Sequence, residues 1–400
     1  MFVDMAFIPL LFAVVSLMIE AGFWDLQPQK GLTMKNIAII GAGKIGHMIA
    51  DLLGQCGDYQ VAVIDKSKEQ LDRLAAATPL ATSIECLAID VGDPDAVAAA
   101  LRGRFAVLSA APFHVTGKIA EAAAMAGVHY LDLTEDVANT RRVRALANTA
   151  KTAFIPQCGL APGFITIVGY DLAKRFDSLQ DVRLRVGALP QYPSNALNYN
   201  LTWSTDGVIN EYCEPCEAIA NGEVVAAPPL EEREEFSLDG VTYEAFNTSG
   251  GVGSLCETLL GRVRNLNYRT IRYPGHAAIM KALLHDLGLR DRRDVLKDIL
   301  EHALPSTLQD VVIVFVTVTG MKKGRLVQET YANKVYGQKI NGIDRSAIQV
   351  TTAAGICGVL DLLAEKRLPQ QGFIRQEDVP LQDFLSNRFG KIYAMRPQQH

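Results

Sequence analysis

The chain has 400 residues, of which 49% are hydrophobic and 21% charged, proportions typical of a globular protein with a large apolar core. This length exceeds one ordinary domain, so two domains are expected. A net charge of −5 gives no basic excess, which argues against a nucleic-acid-binding protein. Seven scattered cysteines, an odd number, exclude a disulfide framework and favour a reducing, cytoplasmic location.

The first 33 residues contain an apolar stretch, Met5–Met18, that is shorter than the ~20 residues of a transmembrane helix. Asp4 precedes it and no lysine or arginine does, so the basic start of a secretory signal is missing. We expect residues 1–33 to be an extension outside the fold, with a membrane-associating helix as the alternative. We expect no membrane interaction from the rest of the chain.

From Met34 to about residue 155, short apolar runs alternate with helical stretches. Strands are predicted at Lys35–Ile40, Gln60–Asp65, Glu85–Asp90, Ala106–Ala110 and His129–Leu133, and helices at Ile45–Leu53, Ser67–Ala76, Pro94–Leu101 and Thr116–Ala126. This alternation predicts an α/β fold with a doubly wound parallel sheet.

The pattern changes over residues 156–345. Longer strands are predicted at Val182–Ala188, Tyr199–Ser204 and Val311–Thr319, and helices at Ala277–Leu287 and Arg292–Ala303. Long strands with separate helices predict an α+β domain with a mixed sheet, which we expect to bind substrate. The last of these strands is a candidate for a dimer interface. Helical character returns near Ile348–Lys366.

A glycine-rich G-x-G-x-x-G motif follows the first strand and opens the first helix. Its first glycine makes a tight turn, its second lets the backbone approach a pyrophosphate, and its third lets helix and strand pack closely. The helix N-terminus offers free N–H groups to the phosphates. The setting predicts a Rossmann dinucleotide-binding domain over residues 34–155. The residues predicted to bind the cofactor here are Gly41, Gly43, Lys44, Ile45 and Gly46.

Asp65 ends the second predicted strand, about 20 residues after the motif. A carboxylate there accepts hydrogen bonds from the adenosine ribose and repels a 2′-phosphate, so NAD is predicted in preference to NADP. Lys66 and Lys68 lie just beyond it and weaken that preference. FAD shares the fingerprint and remains a minor alternative.

Two further motifs carry less information. Cys213 and Cys216 form one C-x-x-C, but no second pair follows at zinc-ligand spacing, so we predict ordinary thiols and no metal site. The glycine cluster Gly250–Gly253 lacks a strand and helix around it, so it is interpreted as a turn or a substrate-contacting loop.

Several segments resemble the saccharopine dehydrogenase family. They are the GLAPG loop at Gly159–Gly163, Ala111–Phe113, HYLDLTED at His129–Asp136 and TIRYPGH at Thr270–His276. The resemblance extends over the chain from Met34. It implies a Rossmann domain interrupted by a catalytic domain, with C-terminal helices, residues 346–400, that return to the Rossmann side. It also implies nicotinamide-dependent oxidation or reduction of a C–N bond in an amino-acid side chain.

The same resemblance implies where the nicotinamide lies. Loops that follow the fourth predicted strand and the GLAPG loop are expected to shape its pocket, with Cys158 as a neighbour rather than a nucleophile. The residues expected to contact the cofactor are Ala110, Ala111, Pro112, Gly159, Leu160 and Gly163.

The chain departs from the saccharopine-forming pattern at charged positions. Ala161 replaces the aspartate of G-L-D-P-G, Asp206 replaces the arginine of W-S-x-R-G, and Thr248 replaces the arginine of N-R-D-S. Arginines are the usual bidentate clamps for carboxylates, and saccharopine has three carboxylates. Loss of two arginines, with Arg272 kept, implies a substrate with fewer carboxylates.

Lysine meets that requirement. Leu189–Pro193, Gly207–Tyr212 and Ile271–His276 resemble lysine 6-dehydrogenases. Those enzymes oxidise the ε-amine to an imine, whose hydrolysis releases ammonia and gives a semialdehyde that cyclises to piperideine-6-carboxylate. Two alternatives stay open: a secondary-amine dehydrogenase of the saccharopine or carboxynorspermidine type, and a catalytically silent NAD-binding regulator.

This chemistry needs a base, because the amine must be neutral before hydride leaves its carbon. The candidate catalytic residues are Glu135, Asp136 and His276. Asp136 has a helix N-cap as its alternative role, and His276 has a packing role. Arg272 is the candidate for the substrate α-carboxylate, and Ser204, Asp206 and Glu211 are further substrate-binding candidates. We expect a small amino-acid substrate and a homodimer.

Overall fold

The computed structural model describes residues 33–77 and 84–395, together with Leu26 and Pro28. The apolar stretch Met5–Met18 lies outside the described residues. Leu26 is buried in the main hydrophobic core, and the Pro28 ring lies beside Gly57, so these two described residues of the 1–33 segment contact the fold.

The first sheet is parallel and has seven strands. They are β1 Lys35–Ile40, β2 Tyr59–Asp65, β3 Glu85–Ala88, β4 Ala106–Ser109, β5 His129–Asp132, β6 Ala153–Ile155 and, from the C-terminal segment, β17 Gly372–Phe373. Their order is β17-β6-β5-β4-β1-β2-β3, with the change of direction beside β1. The central strands β1 and β4 are almost wholly buried, as expected for strands covered on both faces. The predicted doubly wound parallel sheet is confirmed.

Five helices join these strands: α1 Lys44–Gln55, α2 Lys68–Ala77, α3 Pro94–Leu101, α4 Phe113–Ala126 and α5 Val137–Ala147. Local sequence sets their ends. The Asp93 carboxylate caps α3 by accepting from the N–H groups of Asp95 and Ala96. Gly127 ends α4 at a φ of 68°, which glycine adopts without strain.

The second sheet is mixed and has eight strands: β7 Ser178–Pro190, β8 Cys216–Ala220, β9 Glu223–Ala227, β10 Glu234–Leu238, β11 Val241–Asn247, β12 Val263–Arg272, β13 Asp310–Lys322 and β14 Arg325–Tyr336. Its main order is β10-β11-β12-β7-β13-β14, and β8 pairs with β12 and β9. β7 and β12 are parallel, whereas the other pairs are antiparallel. The predicted mixed sheet is confirmed. A short hairpin follows, β15 Gln338–Ile340 and β16 Ile343–Arg345.

The helices of this region are α6 Phe164–Ala173, α7 Thr205–Cys213, α8 Leu255–Leu259, α9 His276–Lys281 and α10 Arg293–Ala303. The predicted helix at Ala277–Leu287 divides into α9 and a π-helical turn at Ala282–Asp286.

The strand predicted at Tyr199–Ser204 is wrong. The segment is a loop that makes one bridge, from Leu201 to Ser306. The Asn195 amide donates to the Tyr199 carbonyl oxygen at 2.7 Å, and Ser204 already caps α7. The apolar residues of this loop pack beneath α9 and α10 in a small core. Their burial explains why apolar and polar residues alternate along the segment as they do in a strand.

The C-terminal segment contains α11 Ala347–Ala364 and α12 Leu381–Ser386. Within the described ranges, α11 is the one helix long and apolar enough to cross a membrane, but nearly all of it is buried inside the protein. It begins in a Ser346–Gln349 capping box and packs on α1. The Arg388 guanidinium pairs with Asp361 and with Asp58 of the first sheet's domain. The chain therefore returns to the domain where it started.

Candidate active site

The glycine loop connects β1 to α1, and two of its glycines are required by packing. Gly41 has a φ of 107°, and a Cβ there would lie 2.8 Å from the Ala110 carbonyl oxygen. A Cβ on Gly46 would overlap the Gly41 carbonyl oxygen. A Cβ on Gly43 would meet no described atom within 4 Å. Because packing does not require glycine at Gly43, the open space fits a ligand that approaches the backbone, as a pyrophosphate does.

Asp65 lies at the end of β2, directly beside this loop. Its Oδ2 accepts from the Ala42 N–H at 2.7 Å and its Oδ1 from the Ser67 N–H at 2.8 Å. These bonds hold the carboxylate at the edge of the sheet where a ribose is bound in Rossmann domains. The loop, the N-terminus of α1 and this carboxylate together fit a dinucleotide.

The predicted nicotinamide contacts lie along the same edge of the sheet. The Ala110 N–H donates to the Ile40 carbonyl oxygen at 2.8 Å, and Pro112 precedes α4. The GLAPG loop is closed by the Phe164 N–H, which donates to the Gly159 carbonyl oxygen at 3.0 Å. A Cβ on Gly163, whose φ is 131°, would overlap that same carbonyl group. The loop therefore presents backbone beside the carboxyl ends of β4 and β6.

Asp132 organises this edge, and its position at the end of an apolar strand was its only distinguishing signal in the sequence. It is fully buried. Its Oδ1 accepts from the N–H groups of Thr134 at 3.0 Å and Gln157 at 2.8 Å, and its Oδ2 accepts from the Tyr130 hydroxyl at 2.8 Å. Burial raises the pKa of Asp132 to about 6. One carboxylate thus fixes both loops that flank the candidate site.

Glu135 and Glu211 form a hydrogen-bonded carboxyl pair at this edge. Burial, together with the nearby Asp136 charge, raises the pKa of Glu135 to about 7. Burial and the charge of Glu135 raise the pKa of Glu211 well above its usual range, and Arg272 offsets part of that rise. Glu211 therefore holds its proton more tightly than Glu135 does, and its O–H donates the hydrogen bond to the Glu135 carboxylate.

The loop after β11 completes the surroundings of this pair. The Ser249 N–H donates to the Glu211 carbonyl oxygen at 3.1 Å, and a Cβ on Gly250 would lie 3.0 Å from the Glu135 Cβ. Thr248 is buried, and its hydroxyl has no hydrogen-bond partner among the residues that the structure describes. The predicted substrate-contacting loop thus lies against Glu135.

Arg272 ends β12 and is buried beside the pair. Its Nε donates to the Tyr212 hydroxyl at 2.9 Å, its Nη1 donates to the Ile271 carbonyl oxygen at 3.0 Å, and its guanidinium lies 5.1 Å from the centre of the Tyr199 ring. Among the described residues, the other buried arginines pair with carboxylates: Arg185 with Glu234, and Arg388 with Asp58 and Asp361. Arg272 has no such ion pair within the described part of the chain, so its charge can meet a substrate carboxylate.

The structure gives His276 the packing role that was the alternative to a catalytic one. A carbonyl oxygen can only accept, so Nδ1 donates to the Leu197 carbonyl oxygen at 2.9 Å. Nε2 then accepts from the Tyr212 hydroxyl at 3.0 Å. Burial, aided by the Arg272 charge, lowers the pKa of His276 to about 3. The neutral ring is therefore fully engaged, and it positions Tyr212 and, through it, Arg272.

Three other predicted site residues have structural roles. Asp136 caps α5 by accepting from the Asn139 N–H at 2.7 Å, as its alternative role required. Ser204 caps α7 from an exposed position. Asp206 is also exposed and pairs with Lys297 at 2.6 Å, so it does not reach the buried pair.

Both thiols of the C-x-x-C motif are free and buried. Among the described residues, no cluster of three or more His, Cys, Asp or Glu side chains is placed to hold a metal ion.

Comparison with known proteins identifies the family. Residues 37–155 match the saccharopine dehydrogenase NADP binding domain, and residues 159–391 match the saccharopine dehydrogenase C-terminal domain. The chain belongs to the saccharopine dehydrogenase family. Members of this family are dehydrogenases, and the family resemblance predicted from the motifs is confirmed.

Individual relatives are distant. The mitochondrial alpha-aminoadipic semialdehyde synthases of Bos taurus and Mus musculus are 21% and 20% identical over 358 residues, or 84% of this chain. The chain spans 36% of the length of each. The structure of saccharopine dehydrogenase (L-Glu forming) from Saccharomyces cerevisiae is 15% identical, with a TM-score of 0.72 over 90% of this chain and 96% of that one. This likeness shows the shared fold.

Proposed function

We propose that the protein is an NAD-dependent dehydrogenase that oxidises the side-chain amine of an amino acid, with L-lysine as substrate. One observation carries the proposal: Arg272, a buried guanidinium with no ion pair among the described residues, lies beside the carboxyl pair of the half-buried Glu135 and the buried Glu211. Lysine has one carboxylate and two amines, and this site has one cationic group and two carboxyls. The guanidinium can bind the carboxylate, the ionised Glu135 can bind one amine, and the second carboxyl group can accept a hydrogen bond from the other.

The altered arginine positions support lysine over saccharopine. Thr248 stands where the saccharopine-forming pattern has an arginine, and it places only a short hydroxyl in the buried loop. Asp206 stands at the other position and faces solvent. A substrate with three carboxylates would bury two of them without a guanidinium partner, at a large cost in free energy.

Glu135 is the proposed base. Its pKa of about 7 lets it take a proton from the substrate ammonium at neutral pH. A dinucleotide held by the Gly41–Gly46 loop would supply the acceptor for the hydride that leaves the side-chain carbon. Water then adds to the iminium carbon, the C–N bond breaks, and ammonia leaves as the aldehyde forms. Overall, an amine and water give an aldehyde, ammonia, one hydride on the cofactor and one released proton.

Within this proposal the cofactor is NAD. The Asp65 carboxylate would lie against a 2′-phosphate and repel it, whereas it can accept hydrogen bonds from a free ribose. The matching family domain is described as NADP binding, so this preference is a property of the chain that needs its own test.

The second candidate is a dehydrogenase of a secondary amine, such as saccharopine. The extended match to the alpha-aminoadipic semialdehyde synthases favours it. Purified protein would be assayed for NADH formation from NAD with L-lysine, saccharopine, cadaverine and other diamines. Turnover of L-lysine alone supports the proposal, and turnover of saccharopine without L-lysine would replace it with this second candidate.

A further inference from the structure

A short 3₁₀ turn at Gln376–Asp378, in the C-terminal segment, contacts two loops of the candidate site. It follows β17, which extends the first sheet by pairing with β6. The Ile374 N–H donates to the Phe154 carbonyl oxygen at 3.0 Å, so the backbone that leads into the turn is fixed to this sheet. Two buried side chains of the turn, Gln376 and Glu377, then reach one loop each.

Gln376 holds the segment that leads into the GLAPG loop. Its Nε2 donates to the Pro156 carbonyl oxygen at 2.8 Å and to the Cys158 sulfur at 3.2 Å. Gln376 is 3% exposed, so little water competes for these bonds. Because Cys158 directly precedes Gly159, Gln376 fixes the backbone at the start of the loop.

Glu377 holds the other loop, Gly250–Gly253. The hydroxyl of Ser254, the next residue, donates to Glu377 and lies 3.0 Å from both carboxylate oxygens. The Thr258 hydroxyl also donates to Glu377 Oε1. The Glu377 side chain is 1% exposed, and the Arg375 guanidinium lies 3.9 Å from it. A buried carboxylate is costly unless hydrogen bonds satisfy it, so these bonds hold the end of the loop in one place.

The Gly250–Gly253 loop packs closely on the candidate base and on the GLAPG loop. A Cβ on Gly250 would lie 3.2 Å from Glu135 Oε2, and one on Gly253 would lie 3.3 Å from the Pro162 Cβ. Bare backbone at these two glycines lets the loop approach so closely. The loop therefore covers one side of the Glu135 carboxylate and touches the GLAPG loop at its other end.

We propose that Gln376 and Glu377 are positioning residues that hold these two loops together, and that Glu377, through Ser254, keeps the Gly250–Gly253 loop over the Glu135 carboxylate. The C-terminal segment then shapes the site without touching the substrate. This inference deepens the proposed function, because it rests on Glu135 as the base.

The loop acts on Glu135 through burial and not through charge. No side chain of residues 248–254 ionises near neutral pH. The ionisable groups around Glu135 come from other elements: Asp136 from its own loop, Glu211 from α7, Tyr268 from β12, and Arg272 beyond Glu211. A displaced loop would leave these groups in place and admit water to the carboxylate, so the pKa of Glu135 would fall towards its ordinary value.

The first test is hydrogen–deuterium exchange of the full chain, which needs no turnover. In Glu377→Ala, the amides of residues 249–255 should exchange about 10-fold faster, the size expected for losing hydrogen bonds to a charged group. Glu377→Gln keeps an acceptor for the Ser254 hydroxyl and should stay within about 3-fold of the wild type. Glu257→Gln, at an exposed position on α8, is the matched control and should exchange like the wild type.

The second test separates positioning from support of the fold. In Glu377→Ala, the acid limb of kcat/KM with L-lysine should move to lower pH by about one unit, because Glu135 becomes more solvated. Glu377→Gln should restore the wild-type limb. Ser254→Ala should move the limb in the same direction, and adding it to Glu377→Ala should move it no further. A purely structural role would lower the melting temperature and leave the limb in place.

Unchanged exchange in Glu377→Ala, or faster exchange with an unmoved acid limb, would overturn the inference. If Glu377→Ala fails to fold, Ser254→Ala carries both measurements, and no change in either would be contrary. A wild type that does not turn over L-lysine contradicts the proposed function, whereas the exchange measurement tests the hold of Glu377 on the loop by itself.

Discussion

The cofactor half and the substrate half of the candidate site are assembled differently. Gly41–Gly46 and Asp65 come from one loop and the end of the next strand, and their positions follow from backbone geometry. Glu135, Glu211 and Arg272 come from the loop after β5, from α7 and from the end of β12. The cofactor half is fixed by a local motif, whereas the substrate half exists only because the tertiary fold brings three distant segments together. Substitutions should therefore affect the two halves in separable ways.

The largest expected effect is the loss of the base. Glu135→Gln should lower kcat with L-lysine about 10³-fold, within the range for general bases. In the wild type, kcat/KM should rise with pH through about 7, because only the ionised Glu135 accepts a proton. Steady-state kinetics from about pH 5.5 to 9 measure the loss of kcat in Glu135→Gln and the pH dependence of kcat/KM in the wild type.

Asp136→Asn is the matched control for this prediction. Asparagine caps helices about as well as aspartate, so the fold should hold. The Asp136 charge raises the pKa of Glu135, so its removal should move the acid limb of the profile to lower pH. An acid limb far from pH 7, or a fully active Glu135→Gln, would rule out Glu135 as the base.

The next effect tests the carboxylate anchor. Arg272→Met should lower kcat/KM for L-lysine about 10²- to 10³-fold, the cost of two charge-assisted hydrogen bonds. Turnover of cadaverine, which has no carboxylate, should change little. Asp206→Asn should leave kcat/KM for L-lysine and for cadaverine within about twofold of the wild-type values, since surface ion pairs contribute little. Equal losses for lysine and cadaverine would mean that Arg272 supports the fold rather than the substrate.

A pair of glycine variants separates packing from ligand binding in the cofactor half. Gly43→Ala should leave the melting temperature nearly unchanged but raise the Kd for NADH about 100-fold, or ~2.7 kcal/mol, because its Cβ enters only the ligand space. Gly46→Ala should destabilise the protein by about 3 kcal/mol through overlap with the Gly41 carbonyl oxygen. Thermal melts measure the stability of each variant, and fluorescence titration measures its Kd for NADH. Similar losses of stability in the two variants would contradict this division.

The smallest effect concerns cofactor choice. Asp65→Ser removes the charge that opposes a 2′-phosphate, so the ratio of kcat/KM for NAD over NADP should fall about 10-fold. Lys66→Ala should shift the ratio the other way, towards NAD. A wild type that already prefers NADP would show that Asp65 does not set the choice.

Most of the cofactor half of the site, and part of the substrate half, could be predicted from the sequence. Periodicity and the glycine motif predict the parallel sheet because each signal is local. Glu135, Glu211 and Arg272 could be named as candidates, but their proximity depends on tertiary packing. Burial, which no motif shows, removes His276 from the catalytic set and gives Asp132 and Tyr212 their positioning roles. Asp206 fails for the opposite reason, because its face of α7 points to solvent.

The central claim is that one buried arginine and a carboxyl pair select an amino acid with a single carboxylate and a terminal amine. The most direct test is the rate of NADH formation with L-lysine and with saccharopine under identical conditions, together with the ammonia released. Our account predicts turnover of L-lysine with one ammonia per NADH and no turnover of saccharopine. Turnover of saccharopine without ammonia release, and none of L-lysine, would contradict it.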